Sequence, residues 1–308
     1  MGSSVLGGAS PVSPAAKAHW QLHFCVFLWG FTSILGKLIT LGALDLVWWR
    51  MLVVVGALLC FPQVWRGLRG LSPGLFLAYG GIGLVLTAHW LTFYWAIKLA
   101  NASVAATCLA LAPVLLSLVE PVVAGRSVNG RELVLGVAAV PGVVMVVGGI
   151  PSGMRVGVLV GAVSALFVAV FGALNKRLIR QADPLTIMCA ELGIGAMALS
   201  LVVVLRPHAG SILVIPDLRN AILLAILSIV CTLLPFALAL AALREVTAFA
   251  AQLVVNLEPI YSIVLAIVIL GEQHVLGKAF YAGVAIVLVA VLLYPATQGR
   301  SPLRQSFK

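Results

Sequence analysis

The sequence predicts an all-α integral membrane protein in which ten transmembrane helices form two inverted five-helix repeats. Composition is the first reason: 62% of the 308 residues are hydrophobic, 9% are charged, and the mean hydropathy is +1.17. A soluble domain carries roughly 25% charged residues, so a soluble globular fold is excluded. Length is the second reason. The apolar residues fall into ten runs of about 18 to 25 residues, enough to cross a bilayer core as helix. Internal repetition is the third. A frame of 146 residues pairs Ala96 with Ala242, Ala105 with Ala251, Pro113 with Pro259 and Gly125 with Gly271. A frame of 139 residues pairs Leu35 with Leu174, Lys37 with Lys176, and Gly56-Ala57 with Gly195-Ala196. The offset changes because the link near Arg206–Pro216 is longer than its counterpart near Gln63–Ser72.

Residues 1–18, rich in Gly, Ser, Ala and Pro, read as a disordered cytoplasmic tail. A cleaved signal is not expected, because the first apolar run starts late and is long enough to span. Five runs follow at 20–41, 45–62, 73–97, 102–124 and 133–150, making a first repeat over 19–150. Five more, at 156–178, 184–205, 218–243, 247–270 and 275–295, make a second repeat over 151–296, and 297–308 form a cytoplasmic tail. No run alternates polar with apolar residues and each is twice a barrel strand's length, which favours helix over barrel strands. The stripe Gly157-Gly161-Ala165 permits close helix contact, and the Gly-x-Gly pairs at 81–83 and 193–195 read the same way. Pro113, Pro141, Pro235 and Pro259 each remove a backbone donor, freeing the carbonyls of Leu109, Val137, Cys231 and Val255. These sites are packing kinks or bends around a cavity, and the paired positions of Pro113 and Pro259 favour the cavity. Cys25, Cys60, Cys108, Cys189 and Cys231 sit singly inside apolar runs, without ligand spacing, and read as packing residues.

Charge sets orientation. With both termini cytoplasmic, ten spans place twelve Lys and Arg residues inside and seven (Lys37, Arg50, Lys98, Arg155, Arg206, Arg219 and Lys278) outside, in keeping with the positive-inside bias. The net charge of +10 is thereby accounted for without nucleic acid. Five spans per half force the second half to start from the opposite side, and an inverted repeat of apolar segments is the usual build of a secondary transporter. Short connections leave no room for a nucleotide-binding domain, and no phosphate loop, GxSxG serine or HExxH site is present. No cofactor or metal is expected. Asp45, Asp183 and Asp217 all lie at helix ends, which argues against intramembrane aspartyl proteolysis.

Polar residues at membrane depth mark the site, because isolated charges there are costly. Of nine acidic residues only Glu120, Glu191 and Glu258 fall inside spans, and Glu258 is the most central. Gln252 and Asn256 share one face of the ninth span, with Glu258 and Tyr261 on the neighbouring stripe. That face is either the polar wall of a cavity or interhelical glue. In the third span His89 stacks above Phe93 and Trp90 above Tyr94. His89 suits a proton carrier or a hydrogen-bonded structural histidine; Trp95 and Trp48-Trp49 suit an interfacial belt. Lys37 and Arg50 snorkel by default from the outer ends of the first two spans. Opposite them, Glu191 close to Lys176 suggests an inner gate matching an outer one at Lys37 and Arg50.

Several segments resemble EamA-type transporters of the drug/metabolite transporter superfamily. They are Ala96-Ile97-Lys98 through Ser103-Val104-Ala105, Leu257-Glu258-Pro259-Ile260-Tyr261 with Gly271-Glu272, and Trp29-Gly30. The resemblance spans about 20–295 as two units. It implies ten helices, cytoplasmic termini, and a central cavity lined by spans 1, 3, 4, 6, 8 and 9. It also implies export of amino acids or other small metabolites. One departure is visible: the first unit ends Ala124-Gly125-Arg126 where the second has Leu270-Gly271-Glu272, so the two halves are not chemically equivalent.

The expected activity is secondary export of small amphipathic metabolites such as amino acids, by alternating access in a bacterial inner membrane, as a monomer or homodimer. An energy-independent facilitator and a lipid flippase or scramblase remain alternatives. The expected lining is Trp29, Ser33, His89, Trp90, Phe93, Asn175, Thr232, Phe236, Gln252, Asn256, Glu258 and Tyr261. Aromatic faces would hold the apolar part of the substrate and amides its polar part. If protons drive export, Glu258 and His89 are the expected carriers.

Overall fold

The computed structural model describes residues 14–125, 130–205, 216–242, 245–246 and 254–297. Among them every element is helical. Helices α1 (Pro14–Leu38), α2 (Ala43–Leu59), α3 (Pro62–Gly70), α4 (Pro73–Leu99), α5 (Ala102–Leu109), α6 (Ala112–Ala124) and α7 (Gly130–Gly148) build the first half. The second half holds α8 (Arg155–Leu178), α9 (Pro184–Val204), α10 (Leu218–Ala225), α11 (Leu234–Ala242), α12 (Glu258–Leu265) and α13 (Lys278–Thr297). A π-helical turn, Ile226–Leu233, joins α10 to α11, and another, Ala266–Leu270, extends α12.

Two boundaries differ from the sequence expectation. Helix α1 begins at Pro14, so residues 14–18 are helical rather than tail; 1–13 and 298–308 lie outside the described residues. The stretch after the second run, read as a link, is helix α3, bent 95° from α2. Pro62 at its first turn explains the start, since a proline there sacrifices no intrahelical bond.

Five described helices are long and apolar enough to cross a membrane: Pro73–Leu99, Ala102–Val123, Ser152–Leu178, Pro184–Val204 and Leu218–Ala239. Counting α2 with α3 as one bent span makes six, and Val137–Gly148, Glu258–Leu270 and Lys278–Ala290 are shorter apolar helices. On α7 the outward stripe is Val134, Val137, Val140 and Val144, apolar residues at helical spacing on an exposed face, as lipid contact requires.

The repeat frame reappears in backbone detail. The span containing Pro113 is interrupted at Ala110-Leu111, and the one containing Pro259 turns at Asn256-Leu257, the same position 146 residues on. Gly125 and Gly271, equivalent in that frame, both end their helices in the left-handed region, at φ 67° and 66°. A residue with Cβ is strained there, which accounts for glycine at both positions. Pro141, by contrast, sits inside continuous α7, so no break follows from it.

Neighbours also exchange between halves. Helix α1 packs on α11 and α12, while its repeat mate α8 packs on α4 and α6; α2 meets its mate α9, and α7 meets its mate α13. Small residues allow these crossings. A Cβ on Gly83 would strike the backbone of Glu191, and Gly142 and Gly283 face each other's backbone across α7 and α13. Gly157 and Gly161 press against Ala100 and Cys108, the close contact that the small-residue stripe anticipates. The largest core cluster gathers Met51, Val54, Tyr94, Ile97, Met188, Leu192 and Leu227, drawing α2, α4, α9 and the first π turn together.

Candidate functional site

Arg50 is the centre of a polar interior cluster. The sequence places it at an outer end, snorkelling; the structure corrects this. Because α2 starts at Ala43, Arg50 lies two turns inside the helix and is only 4% exposed. Its Nε donates to Thr232 Oγ1 at 2.8 Å and its Nη1 to Tyr94 Oη at 2.8 Å. The guanidinium lies over the Trp90 ring, 3.7 Å from its centroid, and 5.6 Å from that of Tyr94. A planar, weakly hydrated cation against aromatic faces is the arrangement that makes a buried arginine tolerable.

Each partner has a local reason for its place. Trp90 and Tyr94 are four residues apart on α4 and share a face. Thr232 lies in the π-helical turn, where its Oγ1 donates to Leu227 O at 2.6 Å, five residues back. That bond leaves the threonine oxygen free to accept from Arg50. Pro235, three residues on, removes a backbone donor, consistent with irregular helix at this depth. Phe93 packs edge-on against Tyr94, with centroids 5.5 Å apart, and Phe236 approaches Phe171 at 6.4 Å. Glu258, the first residue of α12, is half-buried.

His89 is held differently. Its Nδ1 lies 3.0 Å from the carbonyl oxygen of Ser164 and 2.9 Å from its Oγ, while that hydroxyl donates to the His89 carbonyl at 3.0 Å. A carbonyl only accepts, so Nδ1 carries the proton. The ring also stacks on Phe93 at 6.0 Å. These contacts tie α4 to α8 and suit the structural role.

Other expected lining residues form separate groups. Trp29 and Tyr261 pack beside the cluster of Cys25, Val26 and Val254, and Ser262 donates to Gly30 O at 3.2 Å where α12 crosses α1. Ser33 is buried and bonds its own helix at Gly30 O. Asn256 is buried in the turn before α12. Gln252 lies outside the described residues. Asn175 donates to Glu191 Oε1 at 2.9 Å, away from the Arg50 cluster, and Glu191 is fully buried. The expected Lys176–Glu191 gate is therefore corrected: Lys176 pairs with Glu120 at 2.6 Å, joining α8 to α6. Cys60 is also corrected from packing residue to exposed thiol, at the end of α2.

The end of the molecule that carries Lys98 holds contacts that sequence reasoning missed. Glu272 accepts from the backbone N–H groups of Ala102 at 3.0 Å and Ser103 at 2.8 Å, capping α5 from the other half. Asn220 bonds Thr40 twice, accepting from its N–H at 3.0 Å and donating to its Oγ1 at 2.9 Å. Lys98 donates to Ile39 O, and Lys37 reaches Ala100 O at 3.5 Å. The departure of Gly271-Glu272 from Gly125-Arg126 was the visible signal for Glu272; its target N–H groups were not readable from sequence.

Cavities among the described residues include two that are apolar or nearly so. One of about 340 Å³ is lined by Phe61, Leu185, Ile229, Val230, Leu233, Leu234 and Ala237, and one of about 20 Å³ lies between Thr107, Cys108, Val143 and Val158. Arg50 lines neither, and the side chains around the larger one are apolar throughout.

Comparison with known proteins gives the family. The model of the EamA-like transporter family matches twice, over residues 17–148 and 155–294. No curated protein matches. Among solved structures, one protein crystal structure is 17% identical, with a TM-score of 0.61, over 91% of this chain and 98% of that one; this likeness shows the fold alone. The doubled match covers almost the whole sequence, so the chain belongs to the EamA-like transporter family and is a multi-pass membrane transporter of the drug/metabolite transporter superfamily.

Proposed function

We propose that the protein is a secondary exporter of small amphipathic metabolites such as amino acids, working by alternating access. The observation that carries this is the Arg50 cluster, because both halves contribute to it: Arg50, Trp90 and Tyr94 from the first, Thr232 from the second. A substrate contacted by both halves at their junction senses their relative movement, which alternating access requires. Ten spans in two inverted repeats, both termini cytoplasmic and a bacterial inner-membrane location complete the proposal. The lipid bilayer and the small-molecule substrate are its partners; nucleic acid is not, and the assembly is a monomer or homodimer.

Proton coupling through Glu258 is part of this proposal. His89 is the weaker carrier, since Ser164 engages its Nδ1 and its carbonyl. Untargeted metabolite comparison of medium from cells overexpressing or lacking the protein tests export directly. The proposal expects a defined set of small metabolites to rise in the medium on overexpression; identical media contradict it. Accumulation against a gradient in proteoliposomes separates the exporter from an energy-independent facilitator, and a lipid-flip assay on the same vesicles tests the scramblase alternative.

A further inference from the structure

The bend after α2 turns a basic, aromatic helix across the end of the spans. With α2 crossing the bilayer as proposed above, the 95° bend lays α3 along the membrane surface. Trp65 ties the elbow: its indole N–H donates at 2.8 Å to Leu59 O, a carbonyl that the end of α2 leaves without a helical partner. One side of α3 faces the protein, since Val64 is buried and a Cβ on Gly67 would strike the Thr186 side chain of α9. Arg66 and Arg69, three residues apart, share the other side and are exposed. Neither forms an ion pair among the described residues; Asp183, at the start of α9, accepts from Leu185 N–H at 3.1 Å instead. Beside this helix lies the apolar cavity of about 340 Å³. Phe61, at the N-terminal cap of α3, and Leu185, next to Thr186, stand at its α3 end. Ile229, Leu233 and Ala237 continue it along the π turn and α11. From Ile229 to Ala237 the helix rises about 12 Å, close to the depth of one leaflet, roughly half of a 30 Å hydrocarbon core. Phe61, Ile229, Val230 and Leu234 are 46%, 38%, 40% and 41% exposed, so the groove opens sideways, towards lipid. An empty apolar groove forfeits dispersion contacts, and in a bilayer a hydrocarbon chain is at hand to fill it.

We propose that the α2–α3 elbow is a binding site for an anionic phospholipid, with an acyl chain in the groove and the phosphate at Arg66 and Arg69. Phe61 at the groove and Arg66 are separated by about 7.5 Å along the helix, a gap that a long arginine side chain and a headgroup bridge. Guanidinium forks match phosphate oxygens, and basic residues at the membrane surface favour anionic headgroups. The groove, apolar throughout, takes a chain and offers nothing to a polar solute. Trp65, 46% exposed beside both, has the amphipathic ring that settles at headgroup level. Because Phe61 belongs to the first half and Leu185, Ile229, Leu233 and Ala237 to the second, one bound lipid fills a seam between the halves. The site rests on the membrane-crossing arrangement proposed above and is independent of what is transported.

The test uses the purified, delipidated full-length protein with phosphatidylglycerol or phosphatidylcholine carrying identical acyl chains. Bound lipid is read by native mass spectrometry and by thermal stabilisation. Phosphatidylglycerol is expected to be retained in preference, and Arg66→Gln and Arg69→Gln each to lower that preference about 5-fold. Both substitutions are on an exposed face, so the fold is expected to survive them. Arg155→Gln, an exposed arginine at the opposite end of α8, is expected to leave the preference unchanged. Ala237→Phe fills the groove and is expected to lower retention of both lipids alike. Glycerol 3-phosphate, which has the phosphate without the chains, is expected not to compete. Equal retention of the two lipids, an unchanged preference in the folded arginine variants, or an equal loss in Arg155→Gln overturns the site. So does undiminished lipid retention in folded Ala237→Phe, or displacement by glycerol 3-phosphate, which would reveal a free-phosphate site. Any of these results with metabolite export intact removes the lipid site alone, whereas retained lipid preference without export removes the transport proposal alone.

Discussion

At the residue scale, the interior polar groups divide into those that hold helices together and those with spare bonding capacity. His89 belongs to the first kind. Replacing it with Ala strands the Ser164 groups it engages and is expected to cost about 1–3 kcal/mol, read as a lower melting temperature. A selective loss of pH-driven flux with unchanged melting would instead give His89 a proton-carrying role. Glu258 belongs to the second kind. Glu258→Gln is expected to abolish flux driven by a pH gradient in proteoliposomes, and persistence of that flux would exclude Glu258 as the carrier. Much of this was legible: Glu258, Trp90, Phe93 and Thr232 are polar or aromatic residues inside apolar runs, and of these Trp90 and Thr232 contact Arg50. Arg50 was misplaced because the run containing it begins at residue 45, which puts it near a membrane surface by counting. The helix in fact begins at Ala43, and a partner 182 residues away, in the π turn, decides where the guanidinium lies. Such long-range partners leave no trace in local periodicity.

At the element scale, glycine contacts and end-of-helix bonds fix how the spans cross. Gly83 meets the backbone of Glu191, which cannot move aside as a flexible side chain does. Gly83→Val is therefore expected to separate α4 from α9 and destabilise the fold by about 1–3 kcal/mol or more, measured as lost monodispersity and a lower melting temperature. Glu272 has a different task. Its carboxylate satisfies two N–H groups at the start of α5, so Glu272→Ala is expected to cost about 1–2 kcal/mol and to raise the reactivity of a cysteine placed at Ser103. Unchanged reactivity there would show that Glu272 does not hold this end shut. The paired interruptions before Pro113 and Pro259 were foreseeable because both proline positions repeat. Helix α3 was not, since its nine residues mix Gly, Arg and Trp without an apolar run.

At the scale of the whole molecule, two halves with exchanging neighbours meet around a charged and aromatic centre, and one end is stitched by bonds between them. Thr40 with Asn220, Glu272 with α5, and Gly277 with Gly149 all cross from one half to the other at that end. At the opposite end of α5–α6, Lys176–Glu120 and Tyr79 Oη to Leu178 O are the corresponding cross-half contacts. The doubled architecture was readable because membrane spans announce themselves by length and composition, and because Pro, Gly and Lys recur at fixed offsets. Which contacts close which end was not, since these are single hydrogen bonds between residues up to 180 positions apart. If transport proceeds by alternate opening of the two ends, locking the stitched end must stop it. The most direct measurement is proteoliposome counterflow by a variant with cysteines at Thr40 and Asn220 in a background freed of the five native cysteines. Oxidation is expected to abolish flux and reduction to restore it, with the unoxidised variant active throughout. Full flux through the quantitatively cross-linked protein would contradict alternating access.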